Sequence, residues 1–195
     1  MTAAWPDVAL ALALGIALAA CAGLRAWLPL LMAGGAARMG WLELGPSFEF
    51  LASGRALALF AVASVVEIVA DKVPALDHVL DALSTVLRPA AGSLLAASVL
   101  WPVNDPLTAL ALGVAVGAPA ALVPHAAKSM VRAASTTLTA GLANPVLSLA
   151  EDGLVVFLFI VAVVLPLLIV TALAGAAVLL VLRWRRRRPV TAASA

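Results

Sequence analysis

The sequence predicts an all-α, polytopic helical membrane protein with about five crossings, further re-entrant or amphipathic helices, and a weak internal repeat. Three observations predict it. Of the 195 residues, 65% are hydrophobic and 11% charged, against roughly 45–50% and about 25% in soluble domains, so a soluble fold would lack the polar surface to cover itself. Apolar runs recur at lengths near the ~20 residues that cross a bilayer as a helix. The remaining ionisable residues gather mainly in two stretches, 67–81 and 125–152.

The candidate spans are Val8–Leu24, Ala56–Val69, Pro89–Trp101, Leu107–Val123 and Gly153–Leu182. The second and third are short, which calls for tilt, re-entry or help from their neighbours. After the first run and Arg25, Ala26–Ala37 is apolar again but broken by Pro29 and Gly34-Gly35. This reads as a half-helix, tolerated at membrane depth only against protein or a water-filled cavity. Residues 38–55 read as an interfacial loop, and Asn104-Asp105-Pro106 as the turn of a tight helical hairpin. With no polar linker along the chain, 1–182 is expected to be one helical membrane domain and 183–195 a basic cytoplasmic tail.

The net charge of +2 owes most to Arg183, Arg185, Arg186, Arg187 and Arg188. Beside a long apolar run these arginines fit a cytoplasmic anchor on anionic lipid, and nucleic acid is not an expected partner. Counting loop charges puts Arg25, Arg38, Arg55 and the tail in the cytoplasm, and Lys72, Arg88, Lys128 and Arg132 on the other side. Cys21 is the only cysteine, which excludes a disulfide framework. The Leu18-Ala19-Ala20-Cys21 segment resembles a lipoprotein box but lacks a basic segment before it, so a thiol buried in a helix is expected.

Glu67 and Asp71 stand four apart and share a helix face. Pro74 separates them from a new amphipathic helix carrying Asp77, Asp81 and Arg88, with acids at its start, a base at its end, and Pro89 expected to close it. A second stripe, His125, Lys128, Arg132, Ser135 and Thr139, ends near Gly141. Asn144-Pro145 then reads as an N-cap and first-turn proline launching Ser148, Glu151 and Asp152. Residues 82–85 and 133–136 both read Ala-x-Ser-Thr, and at that offset Asp77 and Asp81 align with Lys128 and Arg132. This is the weak repeat.

The pieces Gly23-Leu24-Arg25-Ala26 with Leu28-Pro29-Leu30, residues 67–81, His125-Ala126-Ala127-Lys128, and Gly141-Leu142-Ala143-Asn144-Pro145 through Glu151-Asp152 resemble a family of small bacterial membrane proteins known only as a domain of unknown function. The resemblance covers residues 8–182. It implies a compact helical membrane domain in which these polar stretches belong together, and it implies no reaction.

Ionisable groups inside spans face a cavity or a partner. Glu67, Asp71, Asp77, Asp81, Glu151 and Asp152 are therefore the candidate ion- or substrate-binding residues. Arg25, Lys72, His78, His125, Lys128, Arg132, Ser135 and Asn144 are the candidate charge partners or phosphate ligands. The histidines lack zinc spacing, and the carboxylates would suit Mg²⁺ or Ca²⁺ better. No metal site, cofactor or catalytic residue is assigned. The leading expectation is a transporter or channel for a small ion or solute in the bacterial cytoplasmic membrane. A membrane enzyme or carrier acting on a lipid phosphate, and a structural or assembly partner, are the alternatives. The lipid bilayer is the expected partner, with a small cation or lipid phosphate as ligand, and small residues along the spans permit a homo-oligomer.

Overall fold

Runs of Ala, Leu and Val leave backbone hydrogen bonding with one solution in an apolar setting, the helix. The computed structural model describes residues 5–72 and 74–186, with side chains described for 7–72, 83–165, 179 and 183. Its elements are α1 (Trp5–Leu24), α2 (Trp27–Arg38), a 3₁₀ helix η1 (Pro46–Ala52), α3 (Gly54–Ala70), α4 (Pro74–Ser98), α5 (Pro106–Thr139) and α6 (Asn144–Arg186). No strand occurs among the described residues. Contacts gather into two units, Met1–Val163 and Val164–Ala195. The second continues α6.

α1, α5 and the Asn144–Leu165 part of α6 are long and apolar enough to cross a membrane. η1 with α3, bent by 59°, makes a fourth span if the pair counts as one. The chain is thus an all-α, multi-pass membrane protein with somewhat fewer spans among the described residues than the five expected. The missing span is Pro89–Trp101, which lies largely in α4 and shares that helix with charged residues. α2, the expected half-helix, has 12 residues and at 1.5 Å per residue reaches about 18 Å, short of the ~30 Å hydrocarbon core. Pro89 does not close the amphipathic helix as expected, because it lies inside α4, so the charged stretch and the apolar run are one helix. The same fusion joins Leu107–Val123 to the stripe from His125, through Pro119 and Pro124 inside α5.

α4 and α5 pack antiparallel, and α1 lies along both. Glycines set the distance. A Cβ on Gly117 would stand 2.5 Å from the Gly92 carbonyl, one on Gly113 would stand 2.5 Å from the Ser93 carbonyl, and one on Gly23 would fall on the Ala121 carbonyl. Backbones this close gain dispersion contact where no hydrophobic effect separates helix from lipid. Asp105 opens α5 as an N-cap, accepting from the Thr108 N–H at 2.8 Å, with Pro106 at the first turn.

α2, η1 and α3 form a second cluster that packs mainly on itself, with Leu30, Ala33, Phe48, Leu51 and Phe60 buried and Trp27 stacked on Phe60 at 6.3 Å. The Gly45 N–H donates to the Ser98 carbonyl at 2.8 Å, tying the far end of this cluster to the end of α4. α3 then runs back and returns Asp71 to the level of Arg25.

Candidate functional site

The site begins at the gap between α1 and α2. Helix ends leave carbonyls and amides without partners, and Ala26, at the N-cap of α2, has no capping side chain. Other helices supply the caps. Glu67 of α3 accepts from the Ala26 N–H at 3.0 Å and the Trp27 N–H at 3.2 Å. Lys128 Nζ of α5 lies 3.5 Å from the Leu24 carbonyl at the end of α1. Each charge opposes the helix dipole it meets, a carboxylate at the positive end and an ammonium at the negative end.

Asp71, the C-cap of α3, is the hub. Its Oδ2 pairs with Arg25 Nη1, with Lys128 Nζ at 3.1 Å and with Arg132 Nη2 at 2.9 Å. Glu151 of α6 meets Lys128 Nζ at 3.0 Å and Arg132 Nη2 at 3.1 Å. Arg25 also donates to Ser148 Oγ at 2.8 Å, and its Nε lies 2.7 Å from Asp152 Oδ1. Asp152 reaches Lys72 at 3.5 Å. Arg88 lies 4.0 Å from Glu67 and places Nη1 2.6 Å from His125 Nδ1. An arginine offers only donors, so in this contact the ring nitrogen is the acceptor.

Burial grades the cluster. The side chains of Arg25, Arg88, Lys128 and Asp71 are at most 2% exposed, those of Glu151 and Asp152 13% and 19%, and that of Lys72 33%. Unpaired charges in such a setting would cost several kcal/mol each by rough estimate, and the alternation of acids and bases removes that cost.

The geometry gathers Glu67, Asp71, Glu151, Asp152, Arg25, Lys72, Lys128 and Arg132 into one network, with His125 at its edge. Ser135 is buried one turn beyond Arg132, and its Oγ has no hydrogen-bond partner among the described residues. Asn144 is the first residue of α6 rather than its N-cap, and its Nδ2 donates to Thr136 Oγ1 at 3.1 Å, so it serves the α5–α6 turn. The side chains of Asp77, His78 and Asp81 lie outside the described residues.

Arg25, expected on the opposite side from Lys128 and Arg132, shares Asp71 with both. Ionic attraction across the helix gap outweighs the loop-charge rule there. Sequence reasoning missed Arg88, taken only as a helix-end charge, and the backbone groups of Leu24, Ala26 and Trp27, which carry no side-chain signal. The polar break after Leu24 was the one available clue. No group of three His, Cys, Asp or Glu side chains able to hold a metal ion occurs among the described residues.

The family model described as "Domain of unknown function (DUF4126)" matches residues 12–186. The chain belongs to this family. The match takes in α2 to α5 whole and nearly every residue of the network's helices. No curated protein and no solved structure matches the chain.

Proposed function

We propose that this DUF4126 protein is a multi-pass transporter of the bacterial cytoplasmic membrane that moves a small ion or solute through the carboxylate site at Asp71 and Glu151. One observation carries the reading. The chain breaks a helix at Arg25-Ala26 and sets charged side chains on both broken ends, and discontinuous helices with ligand groups at their ends are how many transporters build substrate sites. That α2, η1 and α3 pack more on one another than on α1 and α4 adds support, since alternating access needs a body that can rock around such a site. In this reading 1–182 works as one domain and the basic tail 183–195 rests on anionic lipid in the cytoplasm. Arg38 and Arg55 mark the cytoplasmic end, because the cations of the network are neutralised by partners and do not act as loop charges.

The test is melting temperature in mild detergent against monovalent cations, divalent cations, small anions and phospholipids, with Glu151→Gln alongside. A ligand bound only by the folded state raises stability by mass action. The expected result is one class of small ion that stabilises wild type and loses its effect in the variant. Stabilisation by a phospholipid alone would instead favour the lipid-phosphate alternative, although Lys128 and Arg132, its expected phosphate ligands, are turned onto carboxylates.

The structural alternative draws on one observation: every described acid of the network already has a basic partner. In that reading Lys128→Met and Glu151→Gln, alone and together, give a double-mutant cycle with a clear coupling energy, and no ion alters melting.

A further inference from the structure

Lys128 Nζ is held by three oxygens from three elements: Glu151 Oε2 at 3.0 Å, Asp71 Oδ2 at 3.1 Å and the Leu24 carbonyl at 3.5 Å. Two carboxylates and the carbonyl end of a broken helix are the ligands a desolvated monovalent cation takes in transporters. Here an ammonium occupies them, with 1% of its side chain exposed. We infer that this cage is a site for a monovalent metal cation that exchanges with the Lys128 proton, making the protein a cation/proton exchanger. The inference rests on the transport reading above and names its substrate class.

Lysine is the residue suited to such an exchange. Its neighbours in charge are Arg25 at the helix break, Arg88 on α4 and Arg132 on α5, and arginines do not give up their proton in proteins. A buried lysine does, because burial opposes the charged form. In the exchange an Nζ–H bond of Lys128 breaks, the proton passes to water, and the nitrogen keeps the electron pair. The cation then takes the ammonium's place between Asp71, Glu151 and Leu24. On the opposite side the cation leaves and the amine takes up a proton. The charge of the cluster is the same before and after, which the low dielectric requires.

A divalent ion would leave an excess charge, because Arg25 and Arg132 stay on Asp71. Facing the cage are also Glu67 from α3, Asp152 from α6 and His125 one turn earlier on α5. His125 is turned to Arg88. The side chains of Asp77, His78 and Asp81 on α4 lie outside the described residues.

The test uses the full chain in liposomes with an internal pH-sensitive dye. External NaCl or KCl is added with the membrane potential clamped. Wild type is expected to alkalinise the lumen as cation enters, and in weakly buffered detergent solution the same salt should release protons from the protein. Lys128→Arg keeps the charge and its pairs but has no proton to release. It should melt near wild type and fall to the rate of protein-free vesicles. Lys128→Met should bind the cation with no proton release.

Exchange that survives in Lys128→Arg overturns the inference. Cation flux in wild type without pH change, still abolished by Glu151→Gln, overturns the lysine exchange and leaves the transport reading standing. Absence of flux, of proton release and of any ion-dependent melting in wild type overturns both. Should Lys128→Arg fail to fold, proton release from wild type decides by itself.

Discussion

Asp71 ties together three cations, one from the α1–α2 break and two from α5, through a single oxygen, so its charge matters more than its shape. Asp71→Asn keeps the shape and removes the charge. It should cost about 3–5 kcal/mol, the range for breaking a buried ion pair by removing one partner, read as a fall in melting temperature in detergent. Asp105 is the contrasting case at the surface. The Thr108 hydroxyl and the Thr108 N–H donate to its carboxylate, and these hydrogen bonds hold its carboxyl below the ordinary range. Because the folded value is the lower one, its contribution is complete above the unfolded value of about 4 and is lost as pH falls through the folded value. Asp105→Asn should therefore flatten a small part of the acid dependence of melting, seen as a narrowing gap between variant and wild type on acidification.

At the scale of elements, α2 owes its start to a residue 41 positions away. Glu67→Gln keeps an acceptor for one of the two amides, whereas Glu67→Leu leaves the buried Ala26 amide and the half-buried Trp27 amide unpaired. The leucine variant should be the less stable by about 1–3 kcal/mol, the cost of an unsatisfied buried group, measured by the same melts. Close helix contact gives a second test: Gly23→Val would push α1 off α5 and should cost roughly 1–3 kcal/mol or more, as overpacking does.

Much of this level was legible in the sequence. Apolar runs, the polar break at Arg25, the Asn104-Asp105-Pro106 turn and the four-residue spacing of Glu67 with Asp71 and of Lys128 with Arg132 all correspond to features of the structure, whereas Pro29 and Gly34-Gly35, expected to break the stretch after Arg25, lie inside the uninterrupted α2. What the sequence hid is tertiary. Prolines 89, 119 and 124 look like stops, yet they sit within α4 and α5. Arg88 looks like a helix-end charge until α5 brings His125 to it, and a backbone carbonyl at Leu24 has no letter of its own.

For the whole molecule, α2, η1 and α3 share a continuous apolar core with α1 and α4 and are also joined to them by the charge network and the Gly45–Ser98 hydrogen bond. If transport needs α2–η1–α3 to rock, locking it to α4 should stop it. Gly45→Cys with Ser98→Cys, in a Cys21→Ala background, should lose flux on oxidation, regain it on reduction and melt no lower when oxidised. Persistence of flux in the oxidised protein would count against a moving α2–η1–α3 body. The charge network has one more consequence, for the birth of the protein in the membrane. Arg25 emerges from the ribosome well before Asp71, and Lys128 before Glu151, so each of these charges is inserted before its set of ion-pair partners is complete. A chain cut short before α6 would hold Arg25 and Lys128 without Asp152 and Glu151, leaving an exposed debt of charge that membrane proteases and chaperones can read as an unfinished product.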